Sequence, residues 1–449
     1  MVASPCSRHE RTVFMAPSHR ARTTVGRLAL LTALTALATA VPHPAVAAGE
    51  LPGVRPTAET PAVHDDEAGG NADADDPAIW RNPDDPDRSL VVATVKEGGL
   101  RVYDLDGREV QSVPAPEAPG PDDAPGRFNN VDLVHGMKTG SRTSDLAVTS
   151  DRGSDRLRVY RIDGDDSDAP LTDVTDPSAP AIFSSSQEEI NEQRTAYGLA
   201  TWTDPSSGRS YAVVSRREST ALSLLELTGS DDGTVSYRKV RTLQLPSRFT
   251  LPNGTAWQPC AEPGELPQVE GMVVDTENGI LYAGQEDVGI WRIDAGLRGT
   301  PVLIDKVREY GVPGTYDEET EECTPGKDPG YGGKRLSADV EGLTLLHQKD
   351  GDGYLLASSQ GDNSFAAYDR ELGDDNEYEG GFRVIAASGT LDGTEESDGA
   401  AVLGEPLGRK YPNGLLVVQD GDDKPGEEGR DSTNFKFVDL KRVLDALED

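Results

Sequence analysis

Three basic residues recur at one point of a repeated sequence pattern. Lys96, Arg152 and Arg217 each follow a short apolar run, in the segments VATVKEGG, VTSDRGSD and VVSRREST. Side chains at matching positions of neighbouring repeats would line one patch, and ammonium and guanidinium groups bind phosphate oxygens well. Ion pairing with nearby acids is the alternative for each residue taken alone. The shared spacing therefore predicts a clamp for a phosphorylated anion.

Acidic and amide residues recur where other apolar runs begin. Carboxylate, amide and backbone oxygens form the hard ligand shell that calcium prefers, and crowded carboxylates need cations to stay ionised. Any single Asp or Asn is more commonly part of a solvated turn. The evidence for metal binding is therefore that these residues recur at equivalent positions of the repeats. The segments are DADDP from Asp73, NNVD from Asn129, VEGM from Val269, DVEG from Asp339, the loop between Asp392 and Asp398, and QDGD from Gln419.

Other hydrolytic centres leave no trace in the sequence. It contains no G-x-S-x-G nucleophile elbow, no Walker motif and no R-H-G motif of histidine phosphatases. Its six histidines show no zinc-site spacing. These observations leave hydrolysis by a metal-activated water as the expected chemistry.

The overall charge limits the possible partners. The 449 residues include 79 Asp and Glu against 43 Lys and Arg, a formal net charge of -36. Such a field repels nucleic acid, and an acidic protein that acts on an anion needs metal ions or a local basic pocket. We therefore expect a small anionic substrate and no nucleic-acid partner. A monomeric protein is also expected.

The amino-terminal residues predict export. Basic residues precede an apolar run from Leu28 to Val41 and the A-x-A pattern at 45–47, so residues 1–47 are expected to be a signal peptide. A retained membrane anchor is the alternative. The mature protein would be secreted without a membrane span, and residues 48–70 would form a flexible leader. Export favours a disulfide between Cys260 and Cys323, with two free thiols as the alternative.

The positions of these residues depend on six copies of a β-hairpin pattern. The matching aromatic or aliphatic positions are separated by 57, 65, 66, 77 and 70 residues, and they are Tyr103, Tyr160, Leu225, Trp291, Tyr368 and Val438. A weaker strand pair lies between successive hairpins, which gives four strands per repeat. The pattern predicts an all-β fold over residues 71–449, a six-bladed β-propeller of four-stranded antiparallel blades. A pair of β-sandwiches or a solenoid is the alternative.

Taken in order, the motifs resemble those of the β-propeller phytases, calcium-dependent enzymes that hydrolyse myo-inositol hexakisphosphate. The resemblance covers nearly the whole mature chain and rests on the ordered set, since no single motif is specific. The matching segments are DADDPAIW, GGLRVYDLDG, NNVDLVHG, TSDRGSD, AYGLA, VEGMVVD, GQEDVGIWRI, ADVEGLTLL, LASSQGDNSFAAYDR and VVQDGDD.

The resemblance implies a role for each matching residue. Phosphate contacts, direct or through calcium, would come from Lys96, Arg152, Tyr197, Arg217 and Glu270, with Glu341 also catalytic. Several calcium ions would be bound by Asp75, Asp76, Asn130, Asp132, Glu270, Glu286, Asp339, Glu341, Asp392, Asp398, Gln419 and Asp420. The substrate would be phytate as its calcium complex, and a calcium-bridged water would attack phosphorus in line.

Two other functions remain open from the sequence alone. One is a non-catalytic calcium-binding propeller that recognises a surface ligand, and the other is a lactonase-type propeller hydrolase with a single central metal. Some positions also depart from the family pattern. Arg217 replaces an expected Lys, Glu97 replaces a frequent base, and Gln285 and Ala401 replace frequent carboxylates.

Overall fold

The computed structural model describes residues 51–448 apart from 372, 374, 388, 390 and 428. The predicted signal peptide, residues 1–47, lies outside this part of the chain. Within it, six antiparallel sheets follow one another along the sequence, and the first strand of each sheet contacts the first strands of its two neighbours. The chain is therefore a six-bladed β-propeller, and the predicted fold is confirmed.

Each blade contains four strands, which run from the axis outward. Their bounds are Pro77–Trp80, Leu90–Thr94, Leu100–Asp104 and Glu109–Val113 in blade 1; Phe128–Thr139, Arg142–Asp151, Arg156–Ile162 and Leu171–Asp173 in blade 2; Ala196–Thr203, Ser210–Arg216, Ala221–Gly229 and Val235–Gln244 in blade 3; Val269–Asp275, Ile280–Gln285, Gly289–Asp294 and Val302–Lys306 in blade 4; Val340–His347, Gly353–Ser359, Ser364–Asp369 and Tyr378–Val384 in blade 5; and Ala400–Leu403, Leu415–Asp420, Ser432–Asp439 and Ala58–Glu59 in blade 6.

The hydrophobic core lies between the blades. Val91 and Val92 are both fully buried, yet Val91 packs in a cluster with blade 6 and Val92 in a cluster with blade 2. Successive side chains of a strand point to opposite faces, so a strand buried on both faces must be apolar throughout. The short runs of Val, Leu and Ala in the sequence meet this requirement.

A side chain near the end of the second strand joins most blades to the next. Ser215 Oγ donates to the Val269 carbonyl of blade 4 at 2.6 Å and accepts from the Gly198 amide of its own blade at 2.8 Å. Because these groups are buried, the Ser215 hydroxyl satisfies two otherwise unpaired strand ends. The bridging residues in blades 1, 2, 3, 5 and 6 are Thr94, Ser150, Ser215, Ser358 and Gln419.

Residues 53–64 complete the ring instead of forming the flexible leader that we expected. Ala58–Glu59 is the fourth strand of blade 6, and Gly53–Val54 pairs in parallel with the outer strand of blade 5. A third short strand, Val63–His64, also pairs with blade 6. Val54 and Val63 are buried, at 2% and 4% exposure. Closure covers a sheet edge that would otherwise be exposed, and this gain explains why a polar segment is ordered.

The connecting segments before and after blade 4 contain two small β-hairpins and the disulfide. Phe249–Thr250 pairs with Ala256–Trp257, and Gly314–Asp317 pairs with Glu322–Pro325. Cys260 and Cys323 are bonded at 2.09 Å, so the predicted disulfide is confirmed.

Helices are short in the described residues. The α-helices are Gln187–Asn191 and Leu440–Glu448, and 3-10 turns occur at Glu67–Gly69, Pro86–Arg88, Lys349–Gly351 and Gln360–Asp362. Across residues 51–448, no helix has the length and hydrophobicity needed to span a bilayer.

Candidate active site

The site begins at β-bulges in the innermost strands. In blades 2 to 5 the register shifts at the first residues of these strands, for example between Val269 and Met272 and between Val340 and Leu343. A bulge turns one side chain out of the regular alternation. In blades 2 to 5 one residue lies in the bulge, and in blades 1 and 6 the corresponding residue lies just before the innermost strand. We call these six residues the inner ring: Asp75, Asn129, Tyr197, Glu270, Glu341 and Asp398.

Glycine after the inner-ring residue lets the blades approach each other. A Cβ atom on Gly198 would lie 2.1 Å from the Glu270 carbonyl, and one on Gly271 would lie 1.8 Å from the Glu341 carbonyl. Only glycine fits against backbone at these distances. The Tyr-Gly and Glu-Gly pairs of the sequence therefore bring functional residues of successive blades together.

A second set of side chains lies two residues beyond the bridging position of blades 1 to 5. We call this set the outer ring: Lys96, Arg152, Arg217, Glu286 and Gln360. The bases come from blades 1 to 3 and the carboxylate from blade 4. Lys96, Arg152 and Arg217, which were predicted to match in the sequence repeat, thus occupy the same structural position in three consecutive blades.

Lys96 connects the bases to the carboxylates. Its Nζ lies 2.5 Å from Asp73 Oδ2 and 3.4 Å from Asp398 Oδ2. Burial lowers the pKa of Lys96, but Asp73, Asp398 and Asp75 outweigh it and raise the pKa above its ordinary value. The ammonium group therefore stays charged at any pH of interest.

Arg152 carries a buried guanidinium group whose positive charge is only weakly compensated by its neighbours. Only 9% of the residue is exposed, and its Nε has no hydrogen-bond partner among the described residues. Burial and the neighbouring Arg127 and Arg217 lower the pKa of Arg152 to about 9. Buried donors without partners are costly, so this cluster of guanidinium groups is suited to an incoming anion.

Two hydrogen bonds fix Glu270 between the bases and the other carboxylates. Tyr197 donates its hydroxyl to Glu270 Oε2 at 2.5 Å, and Asn129 Nδ2 donates to Oε1 at 2.5 Å. The Arg152 guanidinium lies over the Tyr197 ring, 5.6 Å from its centroid. Arg152 and Glu341 are therefore connected, because Glu270 also belongs to the carboxylate cluster of blades 4 and 5. Lys96 joins the same site through Asp398, whose charge acts on Glu341.

That carboxylate cluster has the composition of a metal site. Glu270, Glu286 and Glu341 are buried, and each offers an oxygen within 4.8 Å of the others. Burial, followed by Glu270 and Glu286, raises the pKa of Glu341 well above its ordinary value. In the described part of the chain, Glu341 Oε2 and Asp75 Oδ2 are buried without hydrogen-bond partners. Three clustered carboxylates, with one unpaired oxygen on Glu341 and another on nearby Asp75, fit a calcium ion.

Further inner-ring carboxylates adjoin this cluster. Asp398 Oδ1 accepts from Gln360 Nε2 at 2.7 Å, and burial raises the pKa of Asp398 to about 7. Burial, together with Glu270 and Asp398, also raises the pKa of Asp75 well above its ordinary range. Asp339 adds to the field that raises the pKa of Glu341. Positive charge in the site would let these groups ionise together.

Three of the predicted ligands lie along the inner strands of blades 1 and 2. Asp76 Oδ2 accepts from the Val131 amide at 3.0 Å, and Asp132 Oδ2 accepts from the Thr201 amide at 2.6 Å. Asn130 Oδ1 accepts from Asn129 Nδ2 at 3.0 Å. Each aspartate thus links its blade to the next one.

The remaining predicted ligands are in blade 6, and they have protein partners. Gln419 donates to the Ala74 carbonyl at 3.2 Å and accepts from the Asp398 amide at 2.8 Å, so its amide serves as the bridge to blade 1. Asp392 and Asp420 surround the fully buried ammonium of Lys436, with Asp420 Oδ2 at 3.1 Å. Glu59 and Asp423 complete this separate acidic group.

Four side chains that support the site were given no individual role from the sequence, although two of them, Asp73 and Asn129, lie in the acidic and amide segments identified there. They are Asp73 beside Lys96, Asn129 beside Glu270, Gln268 beside Glu286, and Arg127 beside Arg152. Gln268 Nε2 donates to Glu286 Oε2 at 3.0 Å. Asp73, Arg127 and Gln268 each lie two residues before the inner-ring residue of their own blade. This constant offset was the signal that the sequence offered.

The family comparison agrees with this geometry. The family model described as Phytase matches residues 21–251 and 315–449. The chain belongs to the phytase family. It is also 33% identical over 382 residues to the 3-phytase of Bacillus subtilis (strain 168), a match that covers 85% of this chain and 82% of the relative. The resemblance inferred from the motifs is confirmed, and membership makes the protein a phosphoric monoester hydrolase.

Solved structures show more distant likeness to this phytase. BBS1N in complex with ARL6DN has a TM-score of 0.38 at 9% identity, and the match covers 78% of this chain and 74% of that one. The periplasmic gluconolactonase PpgL of Pseudomonas aeruginosa has a TM-score of 0.36 at 13% identity, with 67% of each chain covered. Likeness at this level carries no information about activity.

Proposed function

We propose that this protein is a secreted, calcium-dependent phytase that releases phosphate from myo-inositol hexakisphosphate by in-line attack of water. One observation carries the proposal: bases from blades 1 to 3 adjoin a buried carboxylate cluster from blades 4 and 5. Arg152 reaches the cluster through Tyr197 and Glu270, Lys96 reaches it through Asp398, and the charge of Arg217 acts on Arg152. A phosphomonoester hydrolase needs both an anion clamp and a source of positive charge near the reacting oxygens.

Calcium would be held by the carboxylates at the centre of the site. The proposed ligands are Asp75, Glu270, Glu286, Asp339, Glu341 and Asp398. When bound there, calcium supplies positive charge to the phosphoryl oxygens and lowers the pKa of water. Asp76, Asn130 and Asp132 along the inner strands of blades 1 and 2, and Asp392 and Asp420 in blade 6, are proposed to serve further ions. In blade 6, Lys436 already supplies one positive charge to the acidic group.

The protein's own side chains would orient the phosphoryl group. Lys96, Arg152 and Arg217 donate hydrogen bonds to its oxygens, and Arg152 is held by the packing that removes it from water. Arg217 is itself paired with Glu218, which aligns the guanidinium. Tyr197 and Asn129 keep Glu270 in place through the two hydrogen bonds described above. No side chain needs to act as a nucleophile in this arrangement.

The decisive test is phosphate release from inositol hexakisphosphate with calcium and then with a chelator. We expect release only with calcium. Glu341→Gln should abolish activity and weaken calcium binding in calorimetry, whereas Glu319→Gln, an exposed change outside the site, should leave both unaltered. Release that continues at full rate in chelator would refute calcium dependence.

Assays of ligand binding and lactone hydrolysis, run beside phosphate release, separate the other two functions. Ligand binding without phosphate release would indicate a recognition propeller, and hydrolysis of a lactone in place of a phosphate ester would indicate a lactonase-type enzyme. The proposed monomer can be checked by light scattering, and proposed secretion by loss of export when residues 1–47 are deleted.

A further inference from the structure

We propose that the central channel of the propeller is a route by which calcium reaches and leaves the buried carboxylate cluster from the face opposite the anion clamp. The inference rests on the proposed function for the identity of the ion. It goes beyond that function by giving the site a rear opening, which stays available while a substrate covers the clamp.

The channel contains a cavity of about 370 Å³ that is lined by the innermost strands of all six blades. At one end lie residues that directly follow the inner ring, such as Asp76, Gly271 and Gly342. At the other end lie His135 and His347, whose side chains are 62% and 44% exposed. The cavity therefore extends from solvent on the opposite face to the rear of the carboxylate cluster.

The neck between this cavity and the cluster carries few side chains. In blades 3 to 6 the residue that follows the inner ring is a glycine, namely Gly198, Gly271, Gly342 and Gly399. The same position holds Asp76 in blade 1 and Asn130 in blade 2. Both of these side chains offer oxygen atoms of the kind that calcium prefers. An ion that passes the neck therefore meets ligands and not an apolar barrier.

The charges along the cavity favour cations. Among the described residues that line it, the carboxylates are Asp76 and Asp132, and there is no lysine or arginine. A phosphate ion would meet charge of its own sign and apolar walls such as Val274 and Leu345. Released phosphate should therefore leave past the basic clamp, and the channel should carry cations and water.

The carboxylate cluster is nearly closed to solvent from other directions. Asp75 is 1% exposed, and Glu270 and Glu341 are 6% and 5% exposed. Asp76, which lines the cavity, is only half-buried, so solvent reaches the neck. A polyphosphate held by the clamp would cover the cluster further, whereas the rear opening would remain.

The test narrows the outer end of the channel in the mature enzyme. Thr276 is half-buried there, directly after the inner strand of blade 4. Thr276→Cys supplies a reactive thiol, because Cys260 and Cys323 are bonded to each other. One methanethiosulfonate reagent attaches a trimethylammonium group to this thiol, and another attaches a sulfonate group of similar size. Calcium release into a fluorescent chelator is then timed by stopped flow, with saturating inositol hexasulfate to occupy the clamp.

We expect the wild type to release calcium while inositol hexasulfate is bound. The trimethylammonium group should slow this release about fivefold or more, because it repels a divalent ion at the mouth of the channel, and the sulfonate group should slow it less. The calcium Kd should not change, since a route alters uptake and release alike. Thr172→Cys, on the outermost strand of blade 2, is the matched control and should show neither effect.

A second variant, Thr276→Trp, narrows the channel without added charge, and it should also slow release while thermal unfolding stays unchanged. Release that stops in the wild type once inositol hexasulfate is bound would overturn the inference, as would release at the wild-type rate from both altered forms of Thr276. A protein that exchanges calcium through the rear opening but releases no phosphate from inositol hexakisphosphate would refute the proposed function alone. Calcium-dependent phosphate release with unaffected exchange in the Thr276 variants would refute only the route.

Discussion

Removing the disulfide should reveal how far one covalent bond stabilises blade 4. Cys260 and Cys323 are separated by 63 residues, and the loop that they close contains all four strands of that blade. In the chain-entropy account, closing a loop of this length reduces the entropy of the unfolded chain enough to stabilise the fold by about 4 kcal/mol at 25 °C. Replacing both residues, as Cys260→Ala with Cys323→Ala, should cost about that much.

The expected change in melting temperature follows from the size of the domain. Unfolding entropy is about 2.1 cal/mol/K per residue, so a domain of about 400 residues has about 0.8 kcal/mol/K in total. A loss of about 4 kcal/mol then lowers Tm by about 5 °C.

Calorimetry of the oxidised wild type, the reduced wild type and the double variant measures this effect. The reduced protein and the variant should agree, because both lack the cross-link. A Tm within 1 °C of the oxidised protein in both cases would refute the reasoning, since blade 4 would then be held without help from the bond.

Two further predictions concern contacts between blades. The bonds from His135 and then Trp80 Nε1 hold the pKa of Asp145 at about 2. Because this pair is partly exposed and screened by solvent, Asp145→Asn should cost about 1 kcal/mol. Because the pKa of Asp145 is depressed in the folded state, the variant should show its full loss of unfolding free energy above pH 4 and almost none as the pH falls towards 2. Urea unfolding across this range measures the difference between wild type and variant. A difference that stays constant with pH would contradict the prediction. Ser215→Ala should cost about 1–3 kcal/mol, because the Gly198 amide and the Val269 carbonyl lose their buried partner, and an unchanged urea midpoint would count against the bridge.

The sequence predicted the parts of the site that repeat in phase. Lys96, Arg152 and Arg217 share one structural position, and the regular hairpin pattern was enough to find it. Glu270 and Glu341 were recognisable because each precedes a glycine at the start of an inner strand. Such positions depend on local structure, which recurs from blade to blade.

The parts that the sequence did not predict depend on contacts between distant segments. Gln419 carries the amide expected of a ligand, but only the fold reveals that Ala74, 345 residues away, accepts its hydrogen bond. Residues 53–64 read as a leader because their partners in blades 5 and 6 lie at the far end of the sequence. Arg127 carries no motif, and its position beside Lys96 and Arg152 follows from strand register.

The strand that completes blade 6 has a consequence for how the protein is made. Thr57 bonds to Phe437 across 380 residues, so the earliest segment of the domain to leave the ribosome must wait for almost the last one. Five blades can form during synthesis, while the sixth stays two strands wide at most until Ser432–Asp439 emerges. Such long-range pairing is slow to form, and a chain cut short before residue 432 would leave both Leu415–Asp420 and Ala58–Glu59 without the strand that lies between them.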